Sequence, residues 1–136
     1  MYINIIFVKI TFVDNKRKIL LVEDDVFMLE LLSDKLRKSG FEVSVAVDGE
    51  ECMKVLQSIR PDLVLLDIVM PKVDGLDVLR RMKGSPDLSG IPVIVLSNLG
   101  QKEEVERAMD LGAKDYIIKA NFTAGEIVEK LNKILK

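Results

Sequence analysis

The chain has 136 residues, 20 of them basic and 22 acidic for a net charge of −2, and 49% of it is hydrophobic. That length suits one domain able to bury a full core and leaves nothing for a second module, and no basic cluster of the kind that tracks nucleic acid is present. With no histidine and a single cysteine, Cys52, the sequence excludes histidine–metal ligation, histidine triads and an internal disulfide, and a reducing cytoplasm fits.

The first residues, Tyr2 to Val8, are apolar, but they lack a basic leading region and a small-residue cleavage site. Lys9 and Asp14 make the run too short and too broken to span a membrane. Residues 1–15 read as a strand-like N-terminal arm, and residues 16–136 as the domain proper. From Lys16 on, strand-like and helix-like stretches alternate, the pattern of an α/β domain with a parallel sheet. Lys18–Val22 is the first strand. Met28, Leu31, Leu32 and Leu36 then recur at helical spacing, and Asp25 stands where a carboxylate caps a helix. A second strand over Glu42–Val45 leads through Asp48-Gly49, a turn and cap, to a helix lined by Cys52, Val55, Leu56 and Ile59. The third strand, Asp62–Leu66, precedes a helix with Leu76, Leu79 and Met82 on one face. Asp74-Gly75 opens that helix, with glycine relieving backbone strain. Pro92–Leu96 is the fourth strand, followed by a helix bearing Val105, Ala108, Met109 and Leu111 that Gly112 should close. Asp115–Ile118 and a last helix lined by Ile127, Val128, Leu131, Ile134 and Leu135 complete five βα units.

Four strand ends carry chemistry. The first strand runs into Glu23-Asp24-Asp25, the third into Asp67, the fourth into Ser97 and the fifth into Lys119. Ligands of open α/β sheets bind at those ends, and carboxylates gathered there repel one another unless a cation sits among them. An acid pair, a lone aspartate, a hydroxyl and a lysine therefore form one site. Neither glycine-rich phosphate loop, GxGxxG or GxxxxGK[ST], occurs, so a nucleotide site has no support. Cys52 reads as plain core.

The segments KILLVEDD, PDLVLLDIVMPKVDG, IPVIVLS and GAKDYIIK resemble the receiver domains of two-component response regulators over Lys16 to Lys136. The intervals agree: Ser97 lies 97 − 67 = 30 residues past Asp67, and Lys119 lies 119 − 67 = 52 past it. The resemblance implies a flavodoxin-like doubly wound (βα)5 fold with a five-stranded parallel sheet in the order 2-1-3-4-5. It implies a stand-alone phosphoacceptor signalling domain, not an enzyme, that takes a phosphoryl group on Asp67 from a histidine kinase or phosphotransfer protein and assists its own phosphotransfer and dephosphorylation. Magnesium or manganese would be held by Asp24, Asp67 and the main-chain carbonyl of Val69, with Glu23 acting through a bound water. Ser97 and Lys119 would contact the phosphoryl oxygens. Tyr116 would follow Ser97 inward and switch a surface on the fourth helix, fifth strand and fifth helix, which could bind an effector or a second copy. The implied location is cytoplasmic, with no direct nucleic-acid or membrane partner.

Two positions depart from the family pattern. Ala120 stands after Lys119 where receivers usually carry a proline joined by a cis peptide. A cis bond to a non-proline residue costs roughly 2.5–4 kcal/mol, so a trans bond is expected, and with it doubt over the reach of Lys119. Asn98 follows Ser97 where the family often has a small residue, and its amide could narrow the approach of water or phosphodonor. Two rivals fit less well. An aspartate-nucleophile hydrolase of the haloacid-dehalogenase type wants a second aspartate two residues past the first, and Val69 stands there. A degenerate receiver would have an eroded acid site, and this one is complete.

Overall fold

The computed structural model describes residues 16–70 and 72–135; the strand-like reading of residues 1–15 lies outside them. Five strands, β1 (Lys18–Val22), β2 (Glu42–Ala46), β3 (Leu63–Leu66), β4 (Val93–Ser97) and β5 (Asp115–Ile118), form one parallel sheet in the order β2-β1-β3-β4-β5. Between and after them lie α1 (Val26–Lys38), α2 (Gly49–Ser58), α3 (Gly75–Lys83), α4 (Lys102–Asp110) and α5 (Ala124–Leu135). The fold class and strand order read from the sequence hold, and strand ends move by a residue: β2 extends to Ala46, β3 starts at Leu63, and β4 is Val93–Ser97.

Successive strand residues point to opposite faces, so each inner strand feeds two cores. Leu20, Val22, Val64, Leu66, Val93 and Val95 pack with Cys52, Leu56, Leu79 and Met82 under α2 and α3. Ile19, Leu21, Leu63, Leu65, Ile94 and Leu96 pack with Leu32, Leu36, Ile127 and Leu131 under α1 and α5. Burial on both faces explains why these strands read as unbroken apolar runs. Cys52 is fully buried, and burial pushes its thiol up to about 12, as expected of a core residue.

The helix ends follow their sequence signals. Asp25 Oδ1 accepts from the Phe27 and Met28 amides, Asp48 from Glu51 and Asp74 from Leu76, each supplying an acceptor to otherwise unpaired donors. Gly112, at φ +105°, closes α4 in a conformation that favours glycine. Leu31 was expected on the apolar face and is exposed. The buried stripe of α1 runs through Leu32 and Leu36, and Leu31 lies off it by about 100°, the rotation of one helical residue. Met109 is likewise exposed, because α4 buries only Ala108. Ile59 falls just past the last residue of α2 as its C-cap.

Candidate functional site

Parallel pairing sets Val22 beside Leu66 and Leu66 beside Val95, so the residues that follow β1 and β3, Glu23 and Asp67, come abreast at one edge of the sheet. Asp67 is buried. Its Oδ1 accepts from the Val69 amide at 3.0 Å and its Oδ2 from Lys119 Nζ at 3.0 Å. Lys119 also forms an ion pair with Glu23 Oε1, while Glu23 Oε2 accepts from the Asp25 amide at 3.3 Å. One ammonium thus serves two buried carboxylates.

That imbalance shows in protonation. Burial, the largest cause, pushes the Glu23 carboxyl up to about 7; the Lys119 hydrogen bond pulls against it and neighbouring Asp67 adds to it. For Lys119, burial favours the neutral amine, but Glu23 and Asp67 together outweigh it and hold the lysine above its ordinary value. Glu23 Oε1, despite its ionic contact, receives no aligned hydrogen bond and is the one buried side-chain oxygen among the described residues left short of a donor.

Carboxylate oxygens of Glu23, Asp24 and Asp67 all lie within 4.8 Å of one another, a group that could hold a metal ion. Three closely set carboxylates, one of which carries an oxygen without a donor, suit a hard divalent cation. The acidic triplet therefore divides by function. Glu23 turns inward to Lys119, Asp24 is exposed and joins the metal-capable group, and Asp25 is spent on capping α1.

The group opens into a cleft of about 380 Å³ whose walls also include Val69, Ser97, Asn98 and Leu99. Ser97 is 1% exposed and its Oγ accepts from the Leu99 amide at 3.2 Å, which leaves the hydroxyl proton free to donate. The Tyr116 hydroxyl donates to the Leu99 carbonyl, so the loop leaving β4 is tied to β5. Val69, expected to offer its carbonyl, is held by its amide to Asp67, and the residue is 54% exposed. No cis peptide occurs among the described residues, so Lys119-Ala120 is trans as expected, within a 3-10 turn over Lys119–Asn121. Lys119 nevertheless reaches Asp67.

Gly75 needs its missing side chain for space. A Cβ there would lie 2.5 Å from the Asp67 carbonyl oxygen and 2.4 Å from Ile68 Cα. Its φ is not left-handed, which corrects the sequence-based explanation by backbone strain. Sequence reasoning also missed Lys72, whose Nζ lies 3.6 Å from Asp48 Oδ2 and pins the loop after Asp67 to the start of α2. An ion pair formed by chance of loop path leaves no spacing signal.

The sequence matches the family described as the response regulator receiver domain over residues 19–132. The chemotaxis protein CheY of Thermotoga maritima is 38% identical over 122 residues, covering 88% of this chain and 98% of that protein. The DNA-binding dual master transcriptional regulator RpaA of Synechocystis is 34% identical, covering 88% of this chain and 49% of that protein. Among solved structures, the signal receiver domain of a signal transduction histidine kinase from Syntrophus aciditrophicus is 34% identical with a TM-score of 0.80, covering 88% of this chain and 89% of that one. The chain spans about half the length of several curated relatives it matches. The expectation of no direct nucleic-acid partner is not borne out, since relatives of that longer kind carry DNA binding in their names.

Proposed function

The chain belongs to the response regulator receiver domain family, whose general function is phosphorylation-dependent signalling, and from that premise we propose that Asp67 is its phosphoacceptor. The supporting observation is Lys119 Nζ at 3.0 Å from Asp67 Oδ2 with Glu23 as its second partner. A lysine so placed counters the charge of the incoming group without blocking the carboxylate.

The donor in this reading is a phosphohistidine on a kinase or phosphotransfer protein. The Asp67 carboxylate attacks phosphorus in line; its oxygen–phosphorus bond forms as the phosphorus–nitrogen bond breaks, the bonding pair stays on that nitrogen, and the ring, already protonated at its other nitrogen, leaves as neutral imidazole. Protein groups need only orient and neutralise. The Val69 amide fixes Asp67 Oδ1, Lys119 exchanges its contact with Oδ2 for a phosphoryl oxygen, and the Ser97 hydroxyl donates to another. A magnesium or manganese ion, held by Asp24, Asp67 and the Val69 carbonyl with Glu23 behind a water, would supply further neutralisation when bound. Water attack on the same phosphorus would return Asp67 to its starting state.

Charge-assisted hydrogen bonds contribute roughly 1.5–3 kcal/mol each, and about 1.4 kcal/mol shifts an equilibrium tenfold. Two such contacts are enough to draw Ser97 toward the phosphoryl group. Leu99, two residues on, anchors Tyr116, so the movement would pass to α4, β5 and α5, the face offered to an effector or to a second copy. For the longer relatives' kind of assembly, a DNA-binding segment is the partner this face would control. The reading places the chain in the cytoplasm, in keeping with its lone, buried Cys52; no helix among the described residues is long and apolar enough to cross a membrane.

Incubation with a small acyl phosphate and magnesium, followed by intact mass, tests the assignment. One phosphoryl group should be added, and Asp67→Asn should remove it. Full labelling of that variant would refute Asp67.

A further inference from the structure

The backbone at Lys72 is left-handed, with φ +67°, the one such non-glycine residue among those described. A lysine disfavours that conformation, and it persists where surrounding contacts over-determine it. Lys72 Nζ lies 3.6 Å from Asp48 Oδ2 and 4.0 Å from Glu50 Oε2. Beside it, Val73 comes so close to Gly49 that a Cβ there would stand 2.5 Å from the Val73 carbonyl oxygen. Gly75, two residues on, admits the Asp67 carbonyl oxygen equally closely. The start of α2 thus holds residues 72 and 73, and the first residue of α3 rests on the backbone of Asp67 itself. Val69 lies three residues before Lys72, and its amide donates to Asp67 Oδ1 at 3.0 Å.

We propose that Lys72 is a positioning residue for the Asp67 site: tethered to Asp48 and Glu50, it holds the connection from β3 to α3 so that the Val69 amide stays on Asp67 Oδ1. Its relevance to phosphorylation rests on the reading of Asp67 and Val69 given above. Asp48 suits the part of anchor because it is itself fixed. Its Oδ1 accepts from the Glu51 amide, which leaves Oδ2 for the lysine, and its side chain is 11% exposed. The lysine side chain is 63% exposed and that of Glu50 55%, so the tether is soft. An ion pair of this kind shifts an equilibrium by up to about fivefold and is screened by salt. The sign of the effect separates position from charge. Deleting a nearby cation strengthens the binding of a divalent cation by charge alone, whereas loss of position weakens it.

Amide hydrogen exchange by NMR on the full chain in chelator tests this. Lys72→Asn removes the ammonium but keeps the turn, because asparagine accepts left-handed backbone. Asp48→Asn with Glu50→Gln removes both anchors, and asparagine still caps α2. Exchange of the Val69 amide should quicken at least about threefold in Lys72→Asn. The same substitution should add less than that in the chain already lacking both anchors, and Lys72→Arg should keep the original rate. A smaller change in Lys72→Asn, or an equal one in both chains, would overturn the proposal. Titration calorimetry then separates the tether from the reading of Val69 as an ion ligand. On that reading Lys72→Asn should also weaken magnesium binding at least about threefold. Unchanged or tighter binding beside a faster Val69 amide would support the tether and refute the ligand role of Val69 instead.

Discussion

Lys119 Nζ lies 3.0 Å from Asp67 Oδ2, joining residues 52 positions apart, and contacts Glu23 from the same atom. The lysine is the sole counter-ion these two buried carboxylates have among the described residues, and this makes its removal informative.

Lys119→Met leaves both carboxylates without a cation. Breaking a buried ion pair from one side costs about 3–5 kcal/mol, and the side chains of Lys119, Glu23 and Asp67 are 12%, 1% and 7% exposed. Urea denaturation in chelator should show a loss of that size, partly recovered on adding magnesium. A loss below about 1 kcal/mol, the range of surface pairs, would mean that the lysine is not the counter-ion.

The site should also respond to pH. With the folded carboxyl of Glu23 raised to about 7 from an ordinary 4.5, the folded chain binds a proton that the unfolded chain releases across that interval. Its contribution is fully present below about 4.5 and is lost as pH rises through about 7. Glu23→Gln should remove that slope from the stability profile. Divalent-ion affinity should run the other way, strengthening as pH rises through about 7, because the ion competes with this proton. Titration calorimetry showing the same affinity on both sides of that pH would contradict the shared site.

Asp24→Asn should weaken divalent-ion binding more than Asp25→Asn, since Asp24 belongs to the metal-capable group and Asp25 is turned to the Phe27 and Met28 amides. Asparagine caps helices as well as aspartate does, whereas Asp25→Ala should cost about 0.5–2 kcal/mol of stability. Equal effects of the two asparagine variants on ion affinity would reassign the triplet.

Ala120→Pro should harm this chain even though proline is common at that place in its family. Lys119-Ala120 is trans and Lys119 begins a 3-10 turn, while a residue before proline is driven out of helical backbone toward extended. An incompatible proline destabilises by more than about 1 kcal/mol, and moving Lys119 should also slow phosphorylation of Asp67. Thermal unfolding and the phosphorylation rate check both; clear stabilisation would show that the turn accepts proline.

Much of this molecule is local in origin. The apolar runs Ile19 to Val22, Leu63 to Leu66 and Val93 to Leu96 declare strands buried on both faces, and in a parallel sheet their carboxyl ends must share an edge. Alternation with helices therefore brings Glu23, Asp67, Ser97 and Lys119 together before any coordinate is known. Asp25, Asp48 and Asp74 announce the helix starts they cap, because capping is satisfied within three residues.

What tertiary structure decided is how those groups divide their partners. Nothing in Glu23-Asp24-Asp25 says that the first pairs with a lysine just past the end of β5, the second stays open and the third turns to a helix; that follows from burial depth and from a side chain arriving 119 − 23 = 96 residues later. The Tyr116 hydroxyl on the Leu99 carbonyl, Lys72 beside Asp48 and the space claimed by Gly75 are of the same kind. Periodicity fixes which face a residue occupies, because it follows from the geometry of one element. Rotamers, loop paths and the sharing of charge depend on atoms from several elements at once, and only their packing settles them.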